Sequence, residues 1–426
     1  MASKSLKNWQ GIACVIGLDF GDSGKGRLID DLAQNAHIVA RFNGGSNAGH
    51  TVRNQFGAFA LHMIPSGIFN QKATCIIGRG VAVDLESLID DEFQQLKKVG
   101  VSWKNLIIDD QATLTMPWHK LKDGIRENYR KTKIGTVGKG IGPTYADRVE
   151  RSGLRVYDLI AKDFREKLAD ELSFQNKFFN LKLKFENIFS QYAKYATIIK
   201  SHVATTIPVI KKAKKDGKNI LFEGAQGYFL DIDSGTYPYV TSSSTGVLGI
   251  WRSFDIHPFD INQVVGITKA YLTRVGAGPM PTKINSHEKE TIIEKGTEFG
   301  TTSGRVRDPG WLDLVLIKHA VAANKVNSLA LTKLDILSGF KNIKICIGYK
   351  IASQVANYVS GDATSLEKCQ PQYEVLPGWR QDISKARNFK DLPKNAKNYI
   401  KFIEKFTQVP VNIIGVGPER EQAIYV

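Results

Sequence analysis

The chain has 426 residues, 42% of them hydrophobic and 23% charged, and its 58 Lys and Arg against 42 Asp and Glu give a net charge of +16. This is the composition of a soluble globular protein with a sizeable core. It excludes a membrane span of roughly 18 apolar residues, a secretory signal in "MASKSLKNWQ", and a metal cluster among Cys14, Cys75, Cys346 and Cys369, which read as reduced thiols of a cytoplasmic protein.

Strands are predicted at Ala13–Leu18, Thr74–Ile77, Asn105–Ile108, Asn219–Phe222, Gln263–Ile267, Ser328–Thr332, Ile343–Tyr349 and Val411–Ile414. Helical spacing marks Leu85–Val99, Phe164–Lys214 and Leu312–Ala323. Strands alternating with helices predict an α/β fold around a large, mostly parallel central sheet. Continuous apolar runs fit a sheet covered on both faces. Neither linker nor repeat interrupts the sequence, so 1–426 reads as one domain with a helical insertion around 160–215. The basic balance admits a nucleic-acid binder or an enzyme for polyanionic small molecules. Arg380 to Lys405 carries eight Lys or Arg against three acids, with Pro393 at a helix boundary. It lacks a nucleic-acid motif and reads as a solvated face.

The first predicted strand runs into the turn Gly21-Asp22-Ser23-Gly24-Lys25-Gly26 and then a helix. Backbone N–H groups and a helix N-terminus can hold phosphate there. The common loop G-x-x-x-x-G-K-[ST] needs glycine at 19 and a hydroxyl at 26; this chain has Asp19 and Gly26. Lys25 adds a point charge. Asp22 repels phosphate, a cost offset if it ligates Mg2+ or acts as a base on the substrate. Next, "RFNGGSNAGHTV" (41–52) sets Gly44, Gly45 and Gly49 around Asn47, a backbone suited to a nest of N–H groups. His50 follows, able to protonate or polarise an oxygen.

In "KIGTVGKGIGPTYADRVERSGLR" (133–155) the glycine spacing is wrong for a dinucleotide fingerprint and no strand precedes it. It reads as a loop over a ligand. Arg148, Arg151 and Arg155 lie beyond it, placed either for phosphate or on a solvated face. "FEGAQG" (222–227) ends a strand with Gln226 set to hydrogen-bond a ligand. "GTTSGRVRDPGWLD" (300–313) joins three hydroxyls to Arg305 and Arg307, which suit carboxylates. "ALTKLDIL" (330–337) delivers Thr-Lys-x-Asp at a strand end. A buried carboxylate at Asp335 would accept from guanine N1 and the 2-amino group, a donor pair that adenine lacks.

These stretches, with "LHMIPSGI", "DIDSGTYPYVTSS", "TRVGAGPMPT", "EFGTTSGR" and "GVGPERE", resemble the adenylosuccinate synthetase family collinearly from Ile16 to residue 421. The resemblance implies a P-loop-like GTP site in an α/β fold. It implies GTP-dependent ligation of L-aspartate to IMP through 6-phosphoryl-IMP, giving adenylosuccinate, GDP and phosphate, with Mg2+. Asp22 is then the base at N1 of IMP, His50 the acid at the transferring phosphoryl, and Gln226 the amide near the 6-oxygen. Asp22 and the Gly49 carbonyl correspond to metal ligands. GTP would meet Gly21, Asp22, Ser23, Gly24, Lys25, Gly26 and Arg27, then Gly49, His50, Thr51 and Arg307. Its guanine would meet Lys333, Leu334 and Asp335, with Gly415, Val416 and Gly417. IMP would meet Asp22, Lys25, Asn47, Ala48, Gly49, His50, Val137, Gln226, Thr241 and Arg305. Arg151 would reach it from the second subunit of a homodimer. Aspartate would meet Thr301, Thr302, Ser303, Gly304, Arg305, Val306 and Arg307.

The sequence departs from the family pattern at Ser23 (usually Glu), Ser46 (usually His), Val137 (usually Thr) and, within the arginine run, Val306 and Asp308. Losing one hydroxyl-to-phosphate bond at Val137 costs about 1.5–3 kcal/mol unless a donor such as Lys139 replaces it. These departures surround the purine site, so a second reading keeps the chemistry on another purine monophosphate such as dGMP. Ser23 is the first position to test for altered substrate choice. A GTP-binding regulator or RNA-binding protein is a third reading, but it leaves Asp22, His50, Gln226, Arg305 and Arg307 together without a purpose.

Overall fold

Ten strands hydrogen-bond into the central sheet of the computed structural model, which describes residues 6–300, 304–351, 354–356 and 363–426. In chain order they are β1 (Ile12–Gly17), β2 (Ile38–Arg41), β3 (Thr74–Ile77), β4 (Leu106–Asp109), β5 (Val203–Ala204), β6 (Ile220–Glu223), β7 (Gln263–Lys269), β8 (Ser328–Thr332), β9 (Val411–Gly415) and β10 (Ala423–Tyr425). Their spatial order is β10-β9-β8-β7-β1-β6-β2-β3-β4-β5. Every neighbouring pair is parallel except β9 with β10.

The apolar strands are buried on both faces, as a sheet sandwiched by helices requires. Ala13, Val15, Val39 and Leu221 point into one core. Cys14, Ile16, Ala40 and Phe222 point into the other.

Three differences from the sequence expectation have local causes. The predicted strand Ile343–Tyr349 belongs to a separate sheet, where Asn342–Ile351 pairs antiparallel with Gln370–Pro377. The predicted helix at Leu85–Val99 opens with a wider π-helical stretch, Ser87–Glu92, before Phe93–Lys98. Buried Glu92 is occupied there by the backbone N–H groups of His62, Met63 and Ile64. The 160–215 region holds helices Phe164–Phe178, Phe185–Ile199 and Thr206–Lys215, and also β5, which extends the sheet edge beside β4.

The basic C-terminal stretch forms helix Lys394–Thr407, which begins at Pro393. Ala396, Tyr399, Ile400 and Ile403 are buried, while Lys394, Lys401 and Lys405 are exposed. The basic run is therefore a solvated face.

Topology positions the site. From β1 the chain builds β2 to β5 on one side, returns through β6 beside β1, and lays β7 to β9 on the other side. The crevice at the strands' carboxyl ends, where this direction reverses, is where open α/β sheets bind ligands. The turns after β1, β2, β6, β8 and β9 are the glycine-rich or Thr-Lys-x-Asp motifs already singled out.

Candidate active site

The turn after β1 is left-handed at Gly21, Asp22 and Gly24, with φ of 89, 56 and 84°. Asp22 tolerates this conformation at a cost that glycine would not incur. Asp19, which spoils the common phosphate-loop pattern, is buried and ties the turn together. Its carboxylate accepts from Gly21 N (2.8 Å), Ser23 Oγ (2.7 Å) and Thr268 Oγ1 (3.2 Å). Gly26 replaces the usual hydroxyl because strand His50–Asn54 packs over it. A Cβ there would lie 2.9 Å from Thr51 O and 3.2 Å from His50 Cβ. Helix Lys25–Leu32 follows, and the buried Lys25 ammonium donates to Gln226 O. Burial lowers the Lys25 pKa.

Around Asp22 the other turns converge. Asp22 Oδ2 accepts from Arg307 Nε at 2.8 Å. Gln226, after β6, is also left-handed (φ 56°), and its Nε2 donates to Asn47 Oδ1 at 3.2 Å. Asn47 Nδ2 donates to Thr241 Oγ1 at 3.3 Å. His50 is buried, with Nδ1 against Glu223 and the Arg41 guanidinium alongside its ring. Glu223 and Arg41 are register partners on β6 and β2, so the sheet itself builds this support. Burial, then Arg41, hold the imidazole down at about 4 against the opposing pull of Glu223.

The turn after β8 carries Lys333 in left-handed backbone (φ 57°) and Asp335, whose buried Oδ1 has no hydrogen-bond partner among the described residues. Burial raises the Asp335 carboxyl. Arg27 reaches across to the Gly417 carbonyl, joining the phosphate turn to the segment after β9.

All of these turns face one cavity of about 840 Å³. Its wall includes Gly21 to Arg27, Asn47 to Thr51, Val137, Gln226, Thr241, Arg305, Arg307, Lys333, Asp335 and Gly417.

Residues 14–424 match the family model of adenylosuccinate synthetase. The chain belongs to the adenylosuccinate synthetase family. A Halothermothrix orenii adenylosuccinate synthetase is 46% identical over 417 residues, covering 96% of this chain and 97% of that protein. One from Clostridium botulinum is 46% identical over 421 residues, covering 97% and 98%. The fully ligated adenylosuccinate synthetase of Plasmodium falciparum superposes with a TM-score of 0.94 at 34% identity, covering 98% of this chain and 100% of that one. The chain is thus a GDP-forming ligase of AMP synthesis that joins L-aspartate to IMP with GTP. The succinoaminodeoxyadenylate synthetase of cyanophage S-2L, bound to dGMP and dATP, has a TM-score of 0.63 at 15% identity, covering 98% and 95%. That likeness extends to the fold alone.

Several family-derived assignments lie off the wall of this chain's own cavity. Leu334 is buried behind Lys333, and Gly415 and Val416 stand behind Gly417. Gly304 and Val306 are exposed, and Thr301, Thr302 and Ser303 lie outside the described residues. Arg151 is exposed at the end of helix Ile141–Glu150, where its Nε donates to Glu150 O. Arg148 and Arg155 donate to the carbonyls of Arg79 and Gln111.

Ser23, the family's Glu position, spends its hydroxyl on Asp19, so it serves the shape of the turn. Sequence reasoning missed helix Pro117–Tyr129, which brings Asp123, Arg126, Glu127 and Arg130 to the wall. Its charged residues at three- and four-residue spacing were the available signal. It also missed Glu223, Arg41 and Glu298, buried charges whose importance lies only in their neighbours. Lys139 lines the wall near Val137.

Proposed function

We propose that the ligation runs in this cavity with Asp22, His50 and Gln226 at the reacting purine. Support comes chiefly from one observation: Asp22 and Gln226, in the turns after β1 and β6, and His50, which opens strand His50–Asn54, border a single cavity whose wall also includes Asp335, one carboxylate oxygen of which has no partner among the described residues. Asp22 takes the N1 proton of IMP, and O6 attacks the γ-phosphorus of GTP as the bond to GDP breaks. His50 faces the transferring phosphoryl, oriented through Nδ1 by Glu223. Gln226 holds the 6-oxygen, and Lys25 with the turn amides balances phosphate charge. The aspartate amine then attacks C6, and phosphate leaves. Arg305 and Arg307 grip the aspartate carboxylates, and Asp335 selects guanine.

Asp22 and the Gly49 carbonyl fit Mg2+ only as part of a shared site. Among the described residues no cluster of three His, Cys, Asp or Glu forms a closed metal site. A carboxylate with a carbonyl, completed by phosphate oxygens and water, is the hard-oxygen set Mg2+ takes. When bound, Mg2+ supplies neutralisation of phosphate charge.

We further propose a homodimer in which Arg151 completes the neighbouring site, and a cytoplasmic location. Four buried free cysteines are consistent with reducing surroundings. Among the described residues no helix is long and apolar enough to cross a membrane.

The test is phosphate release measured with IMP and with dGMP side by side, each with and without aspartate. Release that requires IMP, GTP and aspartate together is expected. Turnover of dGMP but not IMP overturns the substrate assignment.

A further inference from the structure

Glu298, fully buried behind the cavity wall, carries an unusual load on one carboxylate. Its Oε1 accepts from Lys333 Nζ (2.7 Å), Lys269 Nζ (3.1 Å) and the Tyr271 hydroxyl (2.5 Å). Its Oε2 accepts from Lys269 Nζ (3.0 Å) and Arg307 Nη1 (3.1 Å). Burial alone would raise this carboxyl, but Lys269 and Lys333 outweigh it and hold it at about 2. Lys269, itself fully buried, adds a donor to Thr273 Oγ1 and stands as fixed counter-charge beneath the pair.

The two outward arms of this cluster both reach the cavity wall. Arg307 continues to Asp22, and its backbone N–H also donates to Glu298 O at 2.9 Å. That bond, with Gly300 N to Arg305 O at 2.8 Å, ties Arg305 and Arg307 to Gly300 and Glu298. Lys333 donates a second bond to Gly296 O (2.7 Å), and this anchors the left-handed residue two positions before Asp335.

We infer that Glu298 is a positioning residue of the ligation: one buried carboxylate fixes both Arg307 beside Asp22 and Lys333 beside Asp335, so the aspartate end and the guanine end of the cavity share a single anchor. The inference rests on assigning Arg307 to aspartate and Lys333 to the guanine side, as proposed above. A carboxylate that merely props the fold would affect melting temperature or the yield of active enzyme and leave the Michaelis constants in place. A shared anchor moves two of them together, because loss of the charge leaves both cations free to leave their positions.

The experiment is steady-state kinetics of the full chain with IMP, GTP and aspartate, comparing wild type with Glu298→Gln and Glu298→Asp. Gln keeps the shape but loses the charge. KM for aspartate and KM for GTP are expected to rise together, each about tenfold, while KM for IMP stays within about twofold. Asp restores the charge at shorter reach and recovers part of both increases. A rise in one KM only, or a loss of kcat with both unchanged, overturns the shared anchor.

If Glu298→Gln does not fold, Tyr271→Phe removes one hydrogen bond while keeping the charge. It is expected to raise both KM values about twofold, and unchanged values overturn the inference. Wild-type turnover that ignores aspartate defeats the assignment of the substrates instead, which the parallel wild-type assay distinguishes.

Discussion

Asp22 has two demands on one carboxylate. Arg307 holds it at 2.8 Å, and as the proposed base it must be free to accept a proton from the purine. An amide at this position keeps a hydrogen-bond acceptor for Arg307 but cannot take the proton. Asp22→Asn is therefore expected to abolish aspartate-dependent phosphate release while GTP binding, read by equilibrium dialysis, stays measurable. Full activity in that variant would disprove the base assignment. Asp335 gives the complementary test. Its carboxylate lines the cavity and its Oδ1 has no partner among the described residues, so a donor on the ligand can satisfy it, and guanine offers two. Asp335→Asn presents an amide donor to the 2-position, so kcat/KM should shift from GTP toward xanthosine triphosphate by about 100-fold in ratio. An unchanged preference would remove Asp335 from base recognition.

Among the elements, helix Leu314–Ala323 depends on its cap. The Asp313 carboxylate accepts from Val315 N (3.1 Å) and Leu316 N (3.2 Å) and takes the Tyr349 hydroxyl at 2.6 Å. Asp313→Ala should cost about 1–2 kcal/mol in urea denaturation. Burial raises this carboxyl to about 6. Because the folded value lies above the unfolded one, the stability linked to it is fully present below about pH 4 and is lost as pH rises through 6. Measured from pH 4 to 7, Asp313→Asn should therefore gain on wild type; a flat difference would show that burial does not govern the group. Element types were legible in the sequence because the sheet's strands are uninterrupted apolar runs. What was not legible is pairing. The predicted Ile343–Tyr349 run is a strand, yet it pairs outside the central sheet, since side-chain pattern reports burial and not the partner. The candidate site was legible wherever glycine or a polar motif punctuated a strand end. It was illegible at Arg126, on the cavity wall, and at Glu298, behind it, whose places depend on what a distant segment brings alongside.

For the whole molecule, the proposed dimer makes a quantitative demand. If Arg151 completes the neighbouring cavity, Arg151→Ala and Asp22→Asn chains are each inactive alone. Mixed in equal amounts and allowed to exchange subunits, half the dimers are mixed and each regains one complete site, so activity should return to about a quarter of wild type. No recovery, with exchange verified by labelled subunits, would remove Arg151 from the neighbouring site. The left-handed backbone at Asp22, Gln226 and Lys333 has a further consequence for anyone engineering this chain. Each costs on the order of 1 kcal/mol that glycine would recover. A directed-evolution campaign scored on melting temperature alone would feel that pull most at Gln226, whose side chain makes neutral hydrogen bonds, and least at Lys333 and Asp22, whose loss breaks the pairs with Glu298 and Arg307. Its hardiest descendants would be those that had discarded the amide proposed to hold the purine oxygen.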